Sequence, residues 1–142
     1  MASANSIGPH SLRWAWPLAA RAAHDLGDAA AVGELLALID FYPPGHLAPM
    51  LRAELDLARA RLAARNGEPA AADMFASAIS SLRERSTPYH LAHGLFDYAQ
   101  HLDSEAAEAA IREVREIAVR LRCQPLLDRA ADLLPAQPPV QA

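Results

Sequence analysis

The chain of 142 residues contains no lysine, one cysteine (Cys123), one threonine and, at 6%, few aromatic side chains. Each scarcity removes a class of protein. Without lysine there can be no G-x-x-x-x-G-K-[ST] phosphate loop, and all 13 cationic side chains are arginine. A single cysteine excludes an internal disulfide and a cysteine-cluster zinc site, and it fits a reducing, cytoplasmic setting. No apolar run approaches the roughly 18 residues needed to span a bilayer. The short apolar stretch from Trp14 to Ala20 is broken by Pro17 and makes a poor secretory signal. A net charge of -4 argues against a dedicated nucleic-acid binder, whose footprint is a basic face.

Alanine and leucine are abundant, with 33 and 20 residues. Both are strong helix formers, while the β-branched residues that favour strands are few, so the expected fold class is all-α. Helical periodicity and its punctuation divide the chain into seven helices: Ser11 to Leu26, Ala29 to Phe41, His46 to Arg65, Pro69 to Arg85, Pro88 to Leu102, Glu105 to Arg122, and a shorter one after Pro125. Gly27-Asp28, Tyr42-Pro43-Pro44-Gly45, Asn66-Gly67 and Ser86-Thr87-Pro88 separate them, with Thr87 and Asp103 or Ser104 as expected caps. Residues 1–10 read as a disordered lead-in, 11–134 as the helical domain and 135–142 as a proline-rich flexible tail.

Connections this short invite a search for repeats. Leu55, Ala58, Leu62, Ala71, Phe75 and Ala78 are matched 36 residues later by Leu91, Gly94, Tyr98, Ala107, Ile111 and Val114. Counting back 40 residues gives Ala15, Leu18, Ala22, Ala31, Leu35 and Leu38, the extra four being absorbed by the Pro43-Pro44-Gly45 loop. These sets, in three helical hairpins plus a closing helix, belong to an expected core that also takes in Leu36 and Ile39 of the second helix, Leu47 and Leu51 of the third, and Ile79 and Leu82 of the fourth.

The pattern resembles the tetratricopeptide repeat, with large, small and large apolar positions on the first helix of a hairpin and Ala, aromatic and Ala on the second. Its signature tryptophan is missing here, and Pro88 lies later than the consensus proline. The segments Trp16-Pro17-Leu18-Ala19-Ala20, Gly67-Glu68-Pro69-Ala70-Ala71-Ala72 and Thr87-Pro88-Tyr89-His90-Leu91-Ala92 are similar to the C-terminal helical-repeat region of large actinobacterial signalling ATPases. The resemblance implies a right-handed hairpin stack. It brings over neither cyclase nor ATPase activity, since the phosphate loop is impossible here. It leaves two places for the chain: a stand-alone interaction module, or the tail end of a larger regulator.

Candidate chemistry is sparse. Spacings of four put His93, Asp97 and His101 on one helical face, where two-ligand metal sites are geometrically reasonable. Residues eight apart are separated by about 12 Å along the axis and cannot share an ion, so hydrogen-bonded Asp97–His pairs on a solvated face are the expected outcome. Cys123 beside Arg122 is as well explained by burial as by reactivity. Arg52, Arg59, Arg61 and Arg65 interleave with Glu54, Asp56 and Glu68 and read as a solvated, ion-paired surface. Glu113 and Glu116 share their helix with arginines and give acid-base catalysis no support. Trp14 and Trp16, two residues apart, cannot both enter one core, so one of them is expected at the surface, either as an exposed anchor or through ordinary partial exposure.

The expectation is a non-catalytic module without cofactor or metal. It would hold a protein or peptide partner, or a second copy of itself, in the groove lined by the first helix of each hairpin. Carrying the repeat register over gives Asp56, Ala60 and Ala63 on the third helix and His93, Phe96, Ala99 and Gln100 on the fifth, with Phe96 as the anchor. The alternative is a sensor or autoinhibitory C-terminal segment of an ATP-dependent transcriptional or cyclase-type regulator.

Overall fold

A computed structural model describes residues 9–43, 45 and 47–133, with side chains from Trp14 onward. The described chain is all-α, and its helices are α1 (Pro9–Asp25), α2 (Ala29–Asp40), α3 (Pro49–Arg65), α4 (Ala71–Arg85), α5 (Pro88–Ala99), α6 (Ser104–Leu121) and α7 (Gln124–Leu133). Their order and limits follow the sequence reading to within a few residues. Most of the expected lead-in and the tail at 135–142 lie outside the described residues, though α1 already begins at Pro9.

Local chemistry sets the helix ends. The side chains of Asp28, Thr87 and Asp103 accept hydrogen bonds from the backbone N–H of Ala31, His90 and Ala106 at 3.0, 3.3 and 2.9 Å, which pairs otherwise orphaned first-turn donors. Three helices close with the same backbone loop, in which the N–H of Asp28, Glu68 and Cys123 donates to the carbonyl five residues earlier. That loop needs a residue at positive φ. Gly27 and Gly67 supply it at no cost, whereas α6 uses Arg122 at φ 54°.

Each helix packs on its neighbours in sequence, and α1 also packs on α3. Ten of the 17 residues of α3 are buried, because it lies between two cores. Leu51, Leu55 and Ala58 face one way, into a cluster with Trp16, Ala20 and Ile39. Ala53, Leu57 and Ala60 face the other way, into a larger cluster that runs through Phe75, Leu82, Phe96, Val114 and Ala118 to Leu126 and Ala130.

The first hairpin departs from the expected core. Ala15, Leu18, Ala22 and Leu38 are exposed, and Ala31, Leu35 and Leu36 are half-buried; Ile39 is buried as expected, and Trp16, Ala20, Ala23 and Val32 join it. The reason is that α1 meets the rest of the molecule through a single face. The indole of Trp16 enters the small core and its Nε1 donates to the Leu35 carbonyl at 2.9 Å, which turns Ala15, Leu18 and Ala22 outward. In the other two hairpins the corresponding positions are buried or half-buried. Gly94 is the tightest of them: a Cβ there would lie 2.8 Å from Leu82 Cδ1 and 3.1 Å from Ile79 Cδ1, so α5 and α4 touch where the repeat calls for a small residue.

A buried charge ladder and two clefts

The conspicuous polar feature is a ladder between α3 and α5. Nε and Nη2 of Arg61 lie 2.7 and 2.6 Å from Oδ2 of Asp97, and Nδ1 of His90 lies 3.4 Å from Oε1 of Glu54. All four residues are buried. On each helix the two rungs are seven residues apart, close to two turns, so both fall on one face. In sequence, Glu54 and His90 are 36 residues apart, as are Arg61 and Asp97, which is the repeat period itself. Helix α1 closes over the ladder: His24 Nε2 lies 3.6 Å from Asp97 Oδ1, Trp14 stacks on His90 with ring centroids 6.5 Å apart, and the Arg21 guanidinium sits 5.5 Å from the centre of the Tyr89 ring. Arg65 ties α3 to the end of α1 by donating from Nη2 to the His24 carbonyl at 3.1 Å.

Burial governs the protonation of this cluster. It pushes the Glu54 carboxyl up to about 7, against the pull of Arg61 and Arg21. It holds His90 below its ordinary value, with Arg21 adding to the effect. It pushes His93 down to about 3, reinforced by Arg21, Arg129 and Arg61. Asp97 is also pulled upward by burial, but the hydrogen bonds and charges of His24 and Arg61 together outweigh that and keep it below the usual carboxylate range. Oε1 of Glu54 and both ring nitrogens of His93 are buried without a hydrogen bond.

These placements revise the surface expected for α3 and α5. Arg61 is 4% exposed and is a core cation, whereas Arg59 stays at the surface, 3.9 Å from Asp40 and 4.0 Å from Asp56. Asp97 pairs with Arg61 and His24 and bonds to neither His93 nor His101, and it is buried because α1 covers that face. His101 stacks on Phe75 at 4.8 Å. No group of three or more His, Cys, Asp or Glu among the described residues is arranged to hold a metal ion. Cys123 lies half-buried at the α6–α7 corner. Glu113 forms a bidentate pair with Arg83 across α4 and α6. Trp14 is the more exposed tryptophan at 49%, and Trp16 is the buried one.

The groove candidates are spread over several environments. Ala60, Ala63 and Phe96 are buried in the core, and the Arg129 guanidinium of α7 covers the Phe96 ring at 4.2 Å. Asp56 lines a cleft of about 330 Å³ with Ile39, Tyr42 and Leu47, while His93 lies half-buried beside Tyr89, ring centroids 4.7 Å apart. Phe96, Ala99 and Gln100 do meet, in a cleft of about 560 Å³ between α5, α6 and α7. Ala107, Ile111 and Leu133 complete its apolar lining, and Gln100, Ser104, Glu108 and Asp132 supply the polar groups. A smaller cleft of about 230 Å³ opens beside the ladder, where it is lined by His24, Arg61, Arg65, Asp97 and His101. Glu54, His90 and His93 line neither of these last two clefts.

The ion-paired surface expected from the sequence includes Arg61, Glu54 and Asp97, three of the four ladder residues. The signal that would have found them is a complementary pair at the repeat period, carboxyl against imidazole at Glu54 and His90 and guanidinium against carboxylate at Arg61 and Asp97. Comparison with known protein families, curated proteins and solved structures finds no match to this chain. No described helix is long and apolar enough to cross a membrane.

Proposed function

We propose that the chain is a non-catalytic protein-interaction module, a right-handed tetratricopeptide-like stack of three hairpins closed by α7, acting in the cytoplasm. The 36-residue spacing of both ladder rungs supports the repeat register. The observation that carries the function is the cleft between α5, α6 and α7: an apolar lining of Phe96, Ala99, Ala107, Ile111 and Leu133 with polar groups from Gln100, Ser104, Glu108 and Asp132. Such a cleft takes one large apolar side chain of a peptide or helix, and the two carboxylates favour a partner with basic residues beside that anchor. The ladder then serves as the frame that holds α5 in place, with the Arg61–Asp97 ion pair as its charged rung, and reacting groups are not part of this reading.

Selection from a randomised peptide library against the full chain tests the proposal. The peptides recovered should share a large apolar residue flanked by arginine or lysine. Their affinity should fall at least tenfold on Ala107→Trp, which fills the cleft from its half-buried wall, with helicity unchanged by circular dichroism. Selected peptides that bind the Ala107→Trp chain as well as the parent would overturn the assignment of the cleft.

A further inference from the structure

Glu54 is buried in a place that suits a neutral carboxyl. It is 5% exposed, its Oε1 lacks a hydrogen bond, and that oxygen lies 3.4 Å from Nδ1 of His90. With a proton, the carboxyl can donate to Nδ1 and the pair needs no water. Without one, a carboxylate stripped of its hydration has a single neutral imidazole beside it, which is costly. The surrounding charges give limited help. Arg61 of α3 is engaged by Asp97 of α5 through Nε and Nη2, Arg21 of α1 lies over the Tyr89 ring, and His24 of α1 faces Asp97. His93, about one turn along α5 from His90, is buried at both ring nitrogens. What covers the pair is α1, whose Trp14 stacks on the His90 ring. That helix is held to α3 and α5 by the small cluster around Trp16 and Ile39, by His24 against Asp97, and by the bond from Arg65 to the His24 carbonyl.

We propose that the α1–α2 hairpin is a proton-controlled gate: it stays closed over α3 and α5 while the Glu54–His90 pair holds the carboxyl proton, and it swings away when that proton leaves. An ionised Glu54 gains water only with α1 displaced, so proton loss and opening favour each other. The Trp16 and Ile39 cluster opposes opening, which makes the open form a minor population that proton loss enlarges. Opening uncovers Leu51, Leu55 and Ala58, the apolar face of α3, while the continuous cluster from α4 to α7 remains intact. Burial raises the Glu54 carboxyl from 4.5 to about 7, so its contribution to the opening constant grows about tenfold per pH step of one up to pH 7 and levels off above it. His90 and His93, held neutral by burial, favour opening as the pH falls below 6.5, whereas a protonated His24 holds α1 to Asp97. The part played by Glu54 is therefore read against a chain that lacks its carboxyl. Neither Glu54 nor His90 lines the α5–α7 cleft, and the gate does not depend on what that cleft binds.

Amide hydrogen exchange of the full chain and of Glu54→Gln, compared at pH 6 and pH 8, tests the gate. In both chains α1 amides should exchange faster than those of α4 to α6. Intrinsic exchange rates cancel in the ratio of parent to variant, and for α1 that ratio should rise about tenfold over the interval. Equal protection of α1 and α4 to α6 would show that the hairpin opens only with the whole molecule, and a level ratio would show an opening that leaves Glu54 covered; either overturns the proposal. A second measurement does not need the Gln variant to fold. Arg65→Ala removes the tie to the His24 carbonyl without touching Glu54, so the Glu54 carboxyl, followed by carbon NMR, should titrate at lower pH than in the parent. Losing a cation would by charge alone push a carboxyl up, so an unchanged or raised titration would equally overturn the gate.

Discussion

The two ends of the molecule are held together by different forces. From α4 to α7 the chain is cemented by one continuous apolar cluster, in which Phe75, Leu82, Phe96, Val114 and Ala118 have essentially no exposure. The α1–α2 hairpin has a smaller cluster centred on Trp16 and Ile39, and much of its remaining attachment is polar: His24 to Asp97, the His24 carbonyl to Arg65, and Trp14 against His90. Apolar packing is non-directional and tolerant of small shifts, whereas a buried ion pair is worth little unless its geometry is met. The hairpin should therefore be the first part to open. Its amides should exchange with solvent before those of α4 to α6.

The largest expected effect comes from breaking the rung that all three helices share. Asp97→Ala strands the buried Arg61 guanidinium and should cost about 3–5 kcal/mol in urea unfolding, with exchange of α1 amides accelerated most. Replacing both partners with apolar residues, Arg61→Met with Asp97→Leu, should recover most of that loss. Recovery would show that the unpaired charge, and not lost packing, was responsible.

A second effect depends on pH and has opposed signs at two sites. Glu54 ionises near its ordinary 4.5 when unfolded and at about 7 when folded, so it lowers stability progressively as pH rises through that window, by about 3 kcal/mol in full. His93 works in reverse. Its folded value of about 3 against 6.5 unfolded means that stability is lost as pH falls below 6.5, and the depressed His90 acts in the same direction. In the parent these slopes partly cancel between pH 4.5 and 6.5. Glu54→Gln removes one of them, so the variant's melting temperature should climb more steeply with pH across that interval, and it should gain on the parent up to pH 7. Parallel curves would contradict the burial assigned to Glu54.

Two smaller changes sharpen the contrast from the other end of the chain. Gly94→Ala sets a methyl against Leu82 and Ile79 in the well-packed part; its overpacking exceeds the helix-propensity gain of about 1 kcal/mol, for a net cost of about 1 kcal/mol read from chemical unfolding. Arg122→Gly relieves the left-handed corner of α6 and should add about 1 kcal/mol. Slower exchange should then appear in α6 and α7 while α1 is left as it was.

The helices and their limits were legible because their causes are local: Thr87 and Asp103 cap from within the first turn, and Gly27 and Gly67 end helices through their own backbone freedom. The core of the second and third hairpins was also legible, since Phe75 and Ala78 return 36 residues later as Ile111 and Val114. The tertiary exceptions were not. Arg61, Asp97, Glu54 and His90 look like solvent-facing residues until α3 and α5 come together and α1 closes over them. Phe96 lies in the large apolar cluster with the Arg129 guanidinium over its ring, a contact between residues 33 apart that neither position announces. Leu18 errs in the opposite direction, occupying a core position of the repeat yet half exposed among the described residues.

The ladder also limits how alike the repeats can be. Each rung joins a position to its own counterpart in the next hairpin, so perfectly duplicated repeats would set glutamate on glutamate and arginine on arginine inside the protein. A chain rebuilt by averaging the hairpins into a consensus would keep its caps, its alanine contacts and its helical content, and would lose the one interaction that needs neighbouring units to be unlike. Divergence between the second and third hairpins is thus a condition of keeping these rungs, and an idealised version of this architecture either carries two complementary unit types or replaces both members of each rung with apolar side chains.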